Sequence, residues 1–207
     1  MDAVIFDCDG TLVDSEPLAC RSWERLLGDR GYALTDADYA AVLGLPYDRV
    51  HGFFAGRVEL PCSAVVWVEF SRALFELIDT ELEPFADALE TVAALADSGV
   101  PMAVASSSPR ERLDRSLARA GLTRTFTVTV AGDEVPRGKP APDMYLDAAR
   151  RLGVTPAACV AVEDTLPGVA SALAAGMTVV GIARDGALLA DAHRVVDRLS
   201  AAGVMAA

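Results

Sequence analysis

Lysine is almost missing from this sequence: 17 arginines stand against one lysine, Lys139. Positive charge is short overall, and the formal net charge is −12. Nucleic acid or an anionic membrane surface would be repelled at long range, and no basic run offsets this locally. No apolar stretch approaches the roughly 18 to 20 residues that span a bilayer. The short run from Ala3 to Phe6 has neither a basic flank nor a cleavage-type segment. A cytoplasmic protein, monomeric by default, is expected. The four cysteines, Cys8, Cys20, Cys62 and Cys159, show no CxxC or Cys/His spacing. Zinc and dithiol chemistry are thereby disfavoured, and reduced thiols acting as small apolar side chains remain. His51 and His193 have no partner pattern either.

What the sequence does hold is 207 residues with 52% hydrophobic content, enough for one substantial core or a core with a small accessory domain. Short β-type runs alternate with helical patterns. The runs are AVIF (3–6), PMAVAS (101–106), FTVTV (126–130), ACVAVE (158–163) and MTVVGI (177–182). Between the later ones lie helical stretches at 85–98, 109–120, 142–152 and 166–175, the first and third ending near a glycine. This alternation predicts an α/β fold, a parallel sheet flanked by helices. Residues 15–83 break the alternation with helical spacing alone, as in Ala19, Trp23, Leu26 and Leu27, then Trp67, Phe70, Leu74 and Leu77. They are read as an inserted α-helical cap, leaving 1–14 and 84–207 as the sheet domain. Pro17 and Pro84 stand near the two junctions, where linkers would act as a hinge.

In open α/β sheets ligands sit beyond the carboxyl ends of the strands. The polar residues there form a set: Asp7 and Asp9 after the first run, Ser106 ending the second, Lys139 before a helix, and Glu163 with Asp164 closing the fourth. Carboxylates converging at one crest repel one another unless a hard divalent cation neutralises them, so the cluster implies Mg2+. With Lys139 and the metal balancing the charge, a phosphate dianion can approach. Ser106 and backbone N–H groups near Gly10 would hold its oxygens, and one carboxylate is left to attack phosphorus. Ser107 and Ser108, in the same serine run before Pro109, are read as N-cap candidates for the helix that follows.

DCDGTLVDS at 7–15 resembles the first motif of the haloacid-dehalogenase-like superfamily. Ser106 in AVASSS, Lys139 in GKPAPDMY and Glu163-Asp164 in VEDTLPGVASALAAGM resemble the remaining motifs, in order. The resemblance covers nearly the whole chain. It implies a Rossmann-like core with a helical cap, akin to β-phosphoglucomutase, phosphoglycolate phosphatase and phosphatases of sugar phosphates and 6-phosphogluconate. It also implies roles: Asp7 as nucleophile and metal ligand, and Asp9 as general acid and base that lends the metal its backbone carbonyl. Asp164 would be a metal ligand, Glu163 would act through a metal-bound water, Ser106 and Lys139 would bind the phosphoryl group, and Thr11 would orient Asp9.

The second aspartate, Asp9, separates the chain from dehalogenases, and a cap without lysine excludes Schiff-base chemistry there. Mutases of this type carry a cap histidine in the segment that here reads DSEPLACRSW, where Ala19 or a neighbour replaces it. The expected activity is therefore hydrolysis of a small phosphorylated metabolite, a sugar phosphate or phosphosugar acid. A phosphosugar mutase is the alternative, and a non-catalytic phosphate sensor a third reading. Substrate choice is assigned to the cap segment GLPYDR and its neighbours, with Gly44, Tyr47, Arg49 and His51 as candidates.

Overall fold

The computed structural model describes residues 1–42, 45, 47–184, 186 and 188–207. The chain divides into two compact units, Met1–Asp14 with Glu83–Ala207, and Ser15–Leu82.

The larger unit is built on six parallel strands: β1 (Ala3–Phe6), β2 (Met102–Ala105), β3 (Val128–Val130), β4 (Cys159–Glu163), β5 (Thr178–Ile182) and β6 (Arg194–Val196). Their order across the sheet is β3-β2-β1-β4-β5-β6. All residues of β1, β2 and β4 are buried, which is why those runs read as unbroken apolar stretches: helices cover both faces. Two strands depart from expectation. The FTVTV run becomes strand only at Val128, where pairing with Ala103 of β2 begins, while the Phe126 ring packs edge-to-face on Phe6, centroids 6.0 Å apart. The sixth strand was not anticipated, since β6 is three residues long with its first two exposed, and so carries no apolar run.

The smaller unit is helical among its described residues, with α1 (Glu16–Gly28), α2 (Asp36–Val42), α3 (Tyr47–Ala55) and α4 (Ser63–Glu81). Trp23, Leu26 and Leu27 on α1 are buried at helical spacing, as are Phe70, Leu74 and Leu77 on α4, and the two helices pack together. Trp23 is the hub, its ring 5.0 Å from Phe70, 5.3 Å from Phe54 and 5.9 Å from Tyr47.

The helices of the larger unit are α5 (Ala86–Asp97), α6 (Arg110–Arg119), α7 (Asp143–Leu152), α8 (Leu166–Ala174) and the short α9 (Ala201–Met205). Met144, Tyr145, Ala148 and Ala149 of α7 and Val169 and Ala172 of α8 join Ile5, Ala103, Ala161 and Val179 in the core. Gly153 ends α7 at φ 74°, a left-handed cap that a glycine adopts without strain. None of the described helices is long and apolar enough to cross a membrane.

Strand order reverses at β1, which lies between β2 and β4, so the crevice at the carboxyl ends of β1 and β4 is the topological switch point. Phe6 is in register with Val162, and the next residues on the two strands are Asp7 and Glu163.

Candidate active site

Asp7 continues the ladder by donating its N–H to the Val162 carbonyl (2.9 Å), which aims a nearly buried carboxylate into the crevice. Its Oδ1 accepts a 2.5 Å bond from Lys139 Nζ. The same ammonium reaches Glu163 Oε1 at 2.5 Å and the Ala105 carbonyl at 3.0 Å, so it draws together the ends of β1, β2 and β4. Burial opposes the charge on Lys139, but Asp7 and Glu163 beside it outweigh that and hold its pKa above the ordinary lysine value. In Asp7 the balance runs the other way. Burial, aided by the charges of Glu163 and Asp164, pushes its carboxyl well above the usual range despite Lys139.

Glu163 is fully buried and saturated. Its Oε1 also accepts from the Tyr145 hydroxyl (2.8 Å), and its Oε2 from the Asp164 N–H (3.1 Å), the Thr165 N–H (3.4 Å) and the Thr165 hydroxyl (3.1 Å). Space for it comes from Gly168, where a Cβ would fall 1.9 Å from the Glu163 carboxyl carbon. Asp164 is pushed up to about 7, first by burial and then by the charge of Glu163. Oxygens of Asp7, Glu163 and Asp164 all lie within 4.8 Å of one another. Three acidic groups this close, two held above their ordinary pKa, form a donor set that suits a hard divalent cation, since a cation would relieve both the burial cost and the repulsion.

The turn after β1 passes close by. Gly10 has φ 80°, and a Cβ there would lie 2.0 Å from Asp164 Oδ2, so both the backbone and the close approach call for glycine. The Gly10 N–H, expected among the phosphate donors, instead donates to the Val13 carbonyl (2.8 Å). Thr11, expected to orient Asp9, places its hydroxyl 3.4 Å from Asp164 Oδ1. Ser106 lies at the end of β2 with its N–H on the Val130 carbonyl (3.0 Å) and its Oγ accepting from the Ser108 N–H (3.1 Å).

The Asp9 side chain adds its charge to Asp164 but takes its hydrogen bonds from another direction. Its Oδ2 accepts from the Ser108 hydroxyl and its Oδ1 from Arg112 Nη2, both at 2.7 Å. Neither partner was identified from the sequence. Ser108 was read as an N-cap candidate, whereas Pro109 occupies the N-cap of α6 and no side chain caps it. Arg112 is one of 17 arginines, and only the packing of α6 singles it out. Tyr145 was legible in principle, because a tyrosine on the apolar face of α7 needs a partner for its hydroxyl.

Of the cap candidates, Gly44 lies outside the described residues. Tyr47 gives its ring to the aromatic cluster of the smaller unit and its hydroxyl to the Ser63 carbonyl (2.8 Å). Arg49 is exposed, and His51 Nε2 lies 3.0 Å from the Pro61 carbonyl.

A family model described as haloacid dehalogenase-like hydrolase matches residues 1–176. The chain belongs to this family. It is 35% identical over 205 residues to a phosphorylated carbohydrates phosphatase of Thermotoga maritima, covering 94% of this chain and 93% of that protein. It is 33% identical over 198 residues to a fructose-1-phosphate phosphatase of Escherichia coli, covering 86% of this chain and 95% of that one. It also matches segments of longer proteins, spanning 18% and 48% of the length of two relatives from Arabidopsis thaliana. Among solved structures, a putative β-phosphoglucomutase of Thermotoga maritima superposes with a TM-score of 0.83 at 27% identity, covering 95% of this chain and 94% of that one.

Proposed function

We propose that this member of the haloacid dehalogenase-like family is a Mg2+-dependent phosphatase that hydrolyses a small phosphorylated metabolite, a sugar phosphate or phosphosugar acid, through an aspartyl-phosphate on Asp7. The observation that carries the reading is the pairing of Asp7 with Lys139 at the switch point. The ammonium grips Oδ1, and among the described residues no hydrogen bond is made to Oδ2, which can therefore turn to phosphorus.

Asp7, Asp164 and the backbone carbonyl of Asp9 would hold Mg2+, while Glu163, expected to act through a metal-bound water, has both oxygens taken by other donors and would instead orient Lys139 and Asp164 from behind. When bound, the ion neutralises charge on the carboxylates and the phosphoryl oxygens, which lowers the barrier to bringing two anions together. The Ser106 hydroxyl binds the phosphoryl group, and Lys139 turns one of its three N–H groups to it from the acceptors it now serves. The Ser106 oxygen already accepts a bond, and its own O–H remains to donate. Asp7 forms a bond to phosphorus as the ester P–O bond breaks, and protonated Asp9 gives its proton to the leaving alkoxide. Asp9, now a carboxylate, takes a proton from water as that water attacks the acyl-phosphate, returning Asp7 and releasing phosphate. The Arg112 guanidinium holds the Asp9 carboxylate, so Asp9 must leave this pair before it can donate a proton to the leaving alkoxide.

A phosphosugar mutase is the second reading, favoured by the likeness to the putative β-phosphoglucomutase. The deciding experiment measures Mg2+-dependent phosphate release from sugar phosphates, phosphosugar acids, phosphoglycolate and nucleotides, with Asp7→Asn protein as the blank. Release by the wild type alone supports the phosphatase. Interconversion of hexose phosphates with a bisphosphate primer, without net release, replaces it with the mutase.

A further inference from the structure

Arg184 follows β5 directly after Ala183, whose N–H is fixed to the Val196 carbonyl at 2.8 Å. The side chain runs back under the turn after β1 and is largely buried, at 18% exposure. There the guanidinium uses all three nitrogens: Nε donates to the Gly10 carbonyl (3.3 Å), Nη2 to the Thr11 carbonyl (3.1 Å) and Nη1 to Asp87 Oδ2 (3.0 Å). Its flat face lies 3.7 Å from the ring centroid of Phe85. The partners are themselves fixed: Asp87 Oδ2 accepts from the Leu199 N–H at 2.7 Å, and the Phe85 N–H donates to the Leu12 carbonyl at 3.0 Å.

Two carbonyls side by side and a carboxylate at right distance match a rigid fork of donors, which a lysine ammonium cannot reproduce. The two carbonyls belong to the residues that follow Asp9, so the fork sets the peptide planes next to the Asp9 carbonyl. It also sets the turn whose Gly10 lies against Asp164 and whose Thr11 hydroxyl approaches the same carboxylate. We infer that Arg184 is a positioning residue for the metal site: from the end of β5 it holds the Asp9–Gly10–Thr11 turn so that the Asp9 carbonyl and Asp164 converge. The inference rests on the Mg2+ reading above and adds to it a determinant outside the four motifs. Groups that orient metal ligands from behind are worth a measurable share of metal affinity.

The test titrates Mg2+ alone into full-length, metal-free protein by calorimetry, for the wild type, Arg184→Met, Arg184→Lys and Val204→Ala. Val204 is buried in α9 and provides a destabilised control that does not touch the turn. Arg184→Met is expected to raise the Mg2+ Kd by about 10- to 100-fold, with Arg184→Lys between it and wild type. Saturating Mg2+ should restore most of the lost kcat with little change in KM. An unchanged Kd in Arg184→Met would overturn the inference. So would an equal loss in Val204→Ala at a matched fall in Tm, because the effect would then be general destabilisation. Absence of Mg2+ binding by the wild type would overturn the metal reading and this inference together.

Discussion

Burying three carboxylates around one ammonium leaves the site short of positive charge, and the individual residues bear the consequences. Asp164 takes up its proton in the folded state near pH 7, against an ordinary 3.8. In the unfolded chain that proton is gone above about pH 4, so the folded state binds more protons across the interval, and stability falls as pH rises from about 4 to about 7. Thermal melts of protein in EDTA should show this fall, and added Mg2+ should flatten it by stabilising the ionised form. Melts in EDTA that are level over the interval would mean that neither Asp164 nor Asp7 is raised as described. Asp7→Asn would remove the proposed nucleophile while keeping its shape and its neighbours, so it should lose at least about 10³-fold in kcat with an unaltered circular-dichroism spectrum. Retained turnover after contaminating phosphatases are excluded would remove Asp7 from its role. Asp7, Lys139, Glu163 and Asp164 were legible because each directly follows an apolar run or precedes a helix. Arg112 and Arg184 were not, because each is one of 17 arginines and nothing in its local sequence marks it as a partner of the site.

Among the elements, the start of α8 carries two separable jobs. Thr165 caps it by accepting from the Gly168 N–H at 3.2 Å and also donates to Glu163. Thr165→Ala should cost about 1 kcal/mol from the cap, measured by urea unfolding, with a further loss if Glu163 misses its donor. Gly168→Ala is a different matter. The added methyl would overlap the Glu163 carboxylate, which is pinned by Lys139 and Tyr145 and has nowhere to move. Overpacking of this kind costs about 1 to 3 kcal/mol, and it should lower kcat as well, because Glu163 anchors the Lys139 that grips Asp7. A Gly168→Ala protein with wild-type stability and kcat would show that α8 yields without cost. Strands β1, β2 and β4 could be read from sequence because burial on both faces calls for apolar side chains along them, and β3 and β5 because β-branched residues dominate them. The edge strand β6 could not, since it is short and only its last residue is partly buried.

Across the whole molecule, two units with separate cores share one chain. Trp23 contacts three rings within the smaller unit and is 6% exposed. Trp23→Ala should cost about 3 to 5 kcal/mol of that unit's stability and split calorimetric melting into two transitions, with the proposed Mg2+ binding of the larger unit retained. A single transition that moves down as a whole would show the two units to unfold together. The net charge of −12 is spread widely, while the site gathers a local cluster of the same sign. On the proposed reading, attraction of a phosphorylated ligand falls to Lys139 and a bound metal rather than to the overall field.

The sequence by itself determined the α/β class, the order of the strands along the chain, and the residues that strand ends would present. Those follow from periodicity and from where polar residues interrupt apolar runs, both local properties. Only the tertiary structure decided which distant groups share a hydrogen bond: that Ser108 and Arg112 hold Asp9, that Glu163 anchors Lys139, and that Arg184 braces the turn. Each of these depends on the register between strands and the facing of helices, which bring together atoms far apart in sequence and leave no periodic trace in it.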